Sequence, residues 1–190
     1  MSTLVEHLES RLGRTSGGWP PPARSPPGAP MVAHFADGRL PGVRSFATVG
    51  LSRTPLWDAP SGRHLHLELL VCEYERHTGD AGFFPEVLEY VAGRLFAHGA
   101  AVLRGEVLPL PVPLPGGTMT GLYAALPVYF DDGFRSVTVE NGSEVGVVWL
   151  LPVSDREAAF VAERGWRAFE DELARRDPDL LDPSRPSLEL

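Results

Sequence analysis

The chain has 190 residues, 43% of them apolar, and a formal net charge of −8. This length suits one domain, with or without tails, and is enough to bury a core. The negative charge argues against a general nucleic-acid binder, whose affinity comes largely from neutralised phosphates. Cys72 is the only cysteine, which excludes an internal disulfide framework and a thiolate-rich zinc site. All 17 basic residues are arginine, isoleucine and glutamine are missing, and Asn141 is the only asparagine. Such usage points to a GC-rich, bacterial genome. It also makes arginine weak evidence for phosphate recognition. Without lysine there is no P-loop lysine, no Schiff-base lysine and no Ser-x-x-Lys pair. No apolar run approaches the ~18 residues that span a bilayer. The start, "MSTLVEHLESRLGR", has no basic region leading into a hydrophobic one. The expected location is the cytoplasm.

Taken in chain order, residues 3–12 predict a short amphipathic helix, with Leu4, Val5, Leu8 and Leu12 on one face and Thr3 with Glu6 as a capping box. Residues 15–30, "TSGGWPPPARSPPGAP", predict an extended arm without regular structure, pinned by Trp19. Residues 1–31 are therefore read as helix plus arm and residues 32–190 as the domain proper. "VRSFATVGL" (43–51) reads as a strand, 52–63 as a turn-rich connection, and "HLHLELLVCEY" (64–74) as the clearest strand. Its early alternation and later apolar run predict one half-buried end and one central end. "FFPEVLEYVAGRLFAHG" (83–99) is the clearest helix, with Pro85 in its first turn and Gly99 as its stop. In 102–117, prolines at every second position from Pro109 predict an edge segment or polyproline-like loop. Strands follow at 121–130, 134–140 and 144–153, joined by hairpin turns at Asp131-Asp132-Gly133 and Asn141-Gly142; the last is central because it is nearly all apolar. Ser154 or Asp155 then caps a helix to about Glu163, and beyond Gly165 a second stretch runs from Trp166 to about Arg176. This order predicts an α+β domain with a mixed, largely antiparallel sheet flanked by helices.

The sharpest chemical candidate is a row of alternating polar residues, His64, His66 and Glu68, which an extended strand places on one face. With a distant acid they would make a metal-dependent enzyme. A cupin-type centre is ruled out, because the positions four and five beyond the second histidine are Leu70 and Val71. The plainer reading is an amphipathic strand whose polar side meets water. Cys72 sits inside the strand and reads as a packed thiol. His77 follows the strand with no spacing that demands a role. "GSEVG" (142–146) places Glu144 where a nucleophile elbow needs serine. Glu86, Glu89, Asp131 and Asp132 read as helix-surface or turn residues, "PGGTMTG" (115–121) as a hairpin tip, and "RAFEDELARRDPD" (167–179) as a solvated helical face. No catalytic set and no cofactor is expected.

Several stretches occur together: "ATVGLSRTPL" (47–56), "LELLVCEYE" (67–75), "EVLPLPVPLP" (106–115), "GVVWLLPVSDREAAFVAERGWRAFEDEL" (146–173) and "LLDPSRPSL" (180–188). In combination they resemble the suppressor-of-fused domain of bacterial proteins, from about residue 32 to the end. The matching positions are Thr48, Gly50 and Ser52; Pro109 in its "LPL" segment; Pro152 with Ser154 and Glu157; and Asp182, Pro183, Arg185 and Ser187. The resemblance implies a non-enzymatic module that binds another protein. In animals such domains bind a short extended segment of a transcription factor; bacterial members resemble immunity proteins that accompany polymorphic toxins. The implied partner is thus a protein, a toxin domain or an extended peptide, with no nucleic acid and no membrane. The signature positions are expected to be structural. The stretch that would correspond to the animal acidic peptide grip, "GLYAALPVYFDD", is largely apolar, so no contact residues carry over. Strand addition at an open edge near residues 120–140 is the expected binding mode.

Overall fold

A computed structural model describes residues 3–75 and 82–190; His77 lies outside them. The chain divides into two compact units, Met1–Val102 with Leu126–Trp149, and Leu103–Ala125 with Leu150–Leu190.

The first unit opens with α1, Leu4–Leu12, closed at its start by the Thr3/Glu6 capping box. Strands β1 (Gly13–Trp19), β2 (Met31–Asp37), β3 (Val43–Val49), β4 (Leu56–Asp58) and β5 (Arg63–Tyr74) follow, then helix α2 (Phe84–His98). Two strands return later: β8 (Ser136–Thr138) and the start of β9 (Glu144–Val153). Here the strand order is β1-β2-β3-β5-β9, with β4 added to β5 and β8 to β9. All these pairings are antiparallel except β5 with β9. The apolar run Leu69–Cys72 makes β5 central, as its sequence predicts, and its far end at Arg63 and His64 is exposed. Gly99, at φ +64, ends α2 in the left-handed conformation that glycine tolerates best. Phe35, Phe46, Leu70, Phe84 and Leu88 are fully buried. Each such side chain contributes about 1.5–3 kcal/mol on burial.

In the second unit, β6 (Val107–Pro109), β7 (Gly121–Ala125) and the end of β9 lie in the order β9-β7-β6. Helices α3 (Asp155–Arg164) and α4 (Trp166–Arg176) pack with them, and Tyr123 meets Phe169 edge-on at 5.0 Å. Among the described residues the fold is thus α+β, with nine strands in a mixed, mostly antiparallel sheet and four helices.

Two expectations need correction. The arm is not irregular throughout: Gly13–Trp19 pairs antiparallel with β2, itself an element the sequence pattern did not reveal. Glycine and serine lack the apolar alternation that marks a strand, but β2 supplies hydrogen-bond partners, and Trp19 anchors the strand 5.8 Å from Phe46. Second, Asp131-Asp132-Gly133 does not close a hairpin. Asp132–Phe134 forms a 3-10 turn and buries Phe134, while β7 and β8 each pair with β9. Asn141-Gly142 does join β8 to β9, with Gly142 at φ +82.

Candidate functional site

The polar row on β5 does not act as a unit. His64 is exposed and its ring lies 5.1 Å from that of Trp57. The Nδ1 of half-buried His66 sits 2.6 Å from the Ser52 carbonyl oxygen, to which it donates. Glu68 is fully buried, which overturns the expectation of a water-facing polar side. The Thr48–Ser52 turn folds over it. Thr48 Oγ1 donates to its Oε2 at 2.6 Å and the Leu51 N–H at 3.3 Å. The Gly50 N–H (2.9 Å), the Ser52 N–H (3.1 Å) and Ser52 Oγ (2.7 Å) donate to Oε1. Gly50, at φ +104, permits the bend that aims successive N–H groups at one carboxylate. Burial pushes the Glu68 carboxyl above its ordinary range, and these hydrogen bonds oppose the shift. All five donors come from residues 48–52, so both carboxylate oxygens are committed to the fold. Among the described residues no group of three or more His, Cys, Asp or Glu is placed to hold a metal ion.

The remaining signature residues gather on a second buried carboxylate. Ser154 caps α3, exchanging hydrogen bonds with Glu157 in a capping box. Arg185, from the C-terminal tail, donates through Nη1 to Glu157 Oε1 at 2.6 Å and through Nη2 to Oε2 at 3.2 Å. The same Nη2 donates to the Pro152 carbonyl oxygen at 3.1 Å. The Leu188 N–H adds a bond to Oε1 at 3.1 Å, and Ser187 Oγ lies 2.6 Å from Ser154 Oγ. Asp182 sets up the tail: its Oδ1 accepts from the Ser184 N–H at 2.8 Å, and Pro183 occupies the turn. Glu157 and Arg185 are 0% and 5% exposed. The capping box was readable in the sequence; an arginine 28 residues further on as partner was not.

Other candidates have local roles. Cys72 accepts a hydrogen bond from Ser45 Oγ at 3.2 Å, and burial pushes its thiol up to about 12. Asp131 is a surface tie, bonded to Arg11 Nη2 at 3.0 Å and Arg39 Nη1 at 2.6 Å. Asp132 pairs with Arg135 at 2.6 Å. Glu86 and Glu89 line a shallow groove on the outer side of α2. Residues 110–120 form the hairpin tip between β6 and β7, closed by the Leu114 N–H on the Met119 oxygen at 2.8 Å.

The sheet edges decide whether a partner strand can be added. Near residues 120–140, β7 already has a neighbour on each side and β8 has only three residues, so this stretch is not the open edge expected from the sequence. On β6 the Leu110 N–H donates inward to the Thr120 oxygen at 2.9 Å and the Leu114 N–H to the Met119 oxygen. The positions flanking these donors turn their nitrogens outward. They are Pro109, Pro111, Pro113 and Pro115, so the outward face offers no donor there. At the other edge, Glu9 Oε1 accepts from the Thr15 N–H at 3.0 Å, and a bulge between Thr15 and Gly17 interrupts the strand. Both edges are guarded, by different means.

Among the described residues, then, the candidate chemical groups serve a scaffold built on two buried carboxylates. The chain belongs to the suppressor of fused protein family, whose family model matches residues 30–186. Its fold is similar to that of a protein described as a suppressor-of-fused homologue from Neisseria gonorrhoeae, with a TM-score of 0.66 at 16% identity over 83% of this chain and 77% of that one. It is similar to the structure of a Sufu–Fu complex, at TM-score 0.57 and 14% identity over 76% of this chain and 69% of that one. Drosophila Suppressor of Fused matches at TM-score 0.58 and 14% identity over 76% of this chain, which spans only 38% of that protein's length. No curated protein sequence matches the chain. No helix among the described residues is long and apolar enough to cross a membrane.

Proposed function

We propose that this chain is a non-enzymatic protein-binding module, an immunity protein that binds and blocks a cognate toxin domain. The observation that carries the reading is the commitment of Glu68, Glu157 and Arg185 to internal hydrogen bonds, which leaves them unavailable for chemistry. The Sufu–Fu complex supports it by analogy, since a similar domain there meets another protein. A net charge of −8 suits a basic partner and speeds its encounter.

Co-expression with the product of the adjacent gene tests the reading. A stoichiometric complex, with protection of cells that express the adjacent product, is the expected result. Neither complex nor protection would refute the immunity role. Stoichiometric bound metal that disappears in His64→Ala/His66→Ala would refute the non-enzymatic part.

A further inference from the structure

A groove of about 400 Å³ opens beside the Glu68 turn, within the first unit. Leu4 and Val5 from the start of α1, Val49 from the end of β3 and Val139 from the β8–β9 hairpin form its apolar centre. Val5 is 38% exposed. Thr3, Arg53, Glu140 and Asn141 surround that centre. An apolar middle with a polar rim is the anatomy of a protein interface. Arg53 and Glu140 come from different elements and have opposite charges. Neither makes a side-chain hydrogen bond or ion pair among the described residues, although most other charged side chains near them are paired. The floor is rigid, because Gly50 and Ser52 are held by Glu68. A preorganised surface loses little entropy on binding.

We infer that this groove is the docking surface for the partner, taking a projecting loop whose apolar side chain enters the centre, with an acidic group against Arg53 and a basic group against Glu140. The inference rests on the protein-binding reading above. The two charges select the occupant: paired opposite charges at fixed positions suit a partner chain presenting both signs around an apolar tip. Side-chain docking is also the mode left where both sheet edges are guarded against an added strand. The Thr48–Ser52 signature thereby acquires an indirect role as positioning residues for Arg53 and the groove floor.

The test uses the intact chain and the purified product of the adjacent gene, with affinity read by titration calorimetry. Arg53→Glu and Val139→Arg each lower affinity at least tenfold, while Arg94→Glu on α2 leaves it within twofold. Arg53 and Arg94 are exposed, so these two changes leave the melting temperature of the free chain unaltered. Unchanged affinity in both groove variants overturns the groove and leaves the protein-binding reading standing. Equal weakening by Arg94→Glu also overturns it, because the effect would then be one of overall charge. No binding by the unaltered chain overturns both readings. A second readout does not depend on charge. Val139→Cys is labelled with a benzophenone maleimide, while buried Cys72 stays unlabelled. Light should then cross-link the partner to this position, and its failure in a formed complex contradicts the proposal.

Discussion

Glu68 and Glu157 are both fully buried, one in each unit, but opposite chemistry holds them. Around Glu68 every donor is neutral and comes from one five-residue turn. Around Glu157 the main donor is a cation from a distant part of the chain. The first arrangement makes a turn rigid. The second fastens the C-terminal tail to the start of α3. The comparison also explains why two unlike sequence signatures belong to one family pattern: each supplies the donors that a buried carboxylate requires.

The comparison can be broken at several points. Arg185→Ala has the largest effect, because it leaves Glu157 buried without its cation. A loss of about 3–5 kcal/mol is expected in urea unfolding, together with loss of amide-exchange protection around Leu181 and Leu188. Glu68→Ala comes next: it orphans the N–H groups of Gly50, Leu51 and Ser52, at about 1 kcal/mol or more each. Glu68→Gln keeps the shape and loses about 1–2 kcal/mol near pH 5. Its pH dependence sharpens the contrast. The folded Glu68 carboxyl lies above its ordinary value of 4.5, so its contribution is complete below that value and declines as pH rises through the elevated one. Titrated unfolding should show the advantage of the native chain over Glu68→Gln shrinking as pH rises from 4.5. Constancy across that range would contradict the assignment. The smallest change in stability belongs to Pro109→Val/Pro111→Val, within about 0.5 kcal/mol. Restored outward donors should instead cause concentration-dependent association in sedimentation; a monomer at all concentrations would show that proline does not guard this edge.

The sequence made the helices and central strands plain where periodicity and caps agreed. Pro85 and Gly99 bracket α2, and Ser154 with Glu157 opens α3. Other features depend on neighbours that no local pattern reveals. β1 is mostly glycine and small polar residues, and it is a strand because β2 lies beside it. Glu68 follows the alternation of a water-facing side, yet the next turn of chain covers it and supplies its donors. Arg44 and Glu73 form a buried ion pair at 2.8 Å that only the β3–β5 register brings together. The groove around Val5, Arg53 and Val139 draws on three segments far apart in sequence. The signature positions were legible as a set, whereas their sorting onto two carboxylates was not.

The central claim is that signature residues hold the fold while the partner is recognised through Arg53 and its groove. The most direct measurement compares unfolding free energy and partner affinity in Glu68→Gln and Arg53→Glu, at a temperature where both remain folded. The account predicts that Glu68→Gln loses stability but keeps affinity within about threefold, and that Arg53→Glu keeps stability within about 0.5 kcal/mol but loses affinity at least tenfold. A folded Glu68→Gln protein that no longer binds, beside an Arg53→Glu protein that binds normally, would contradict it.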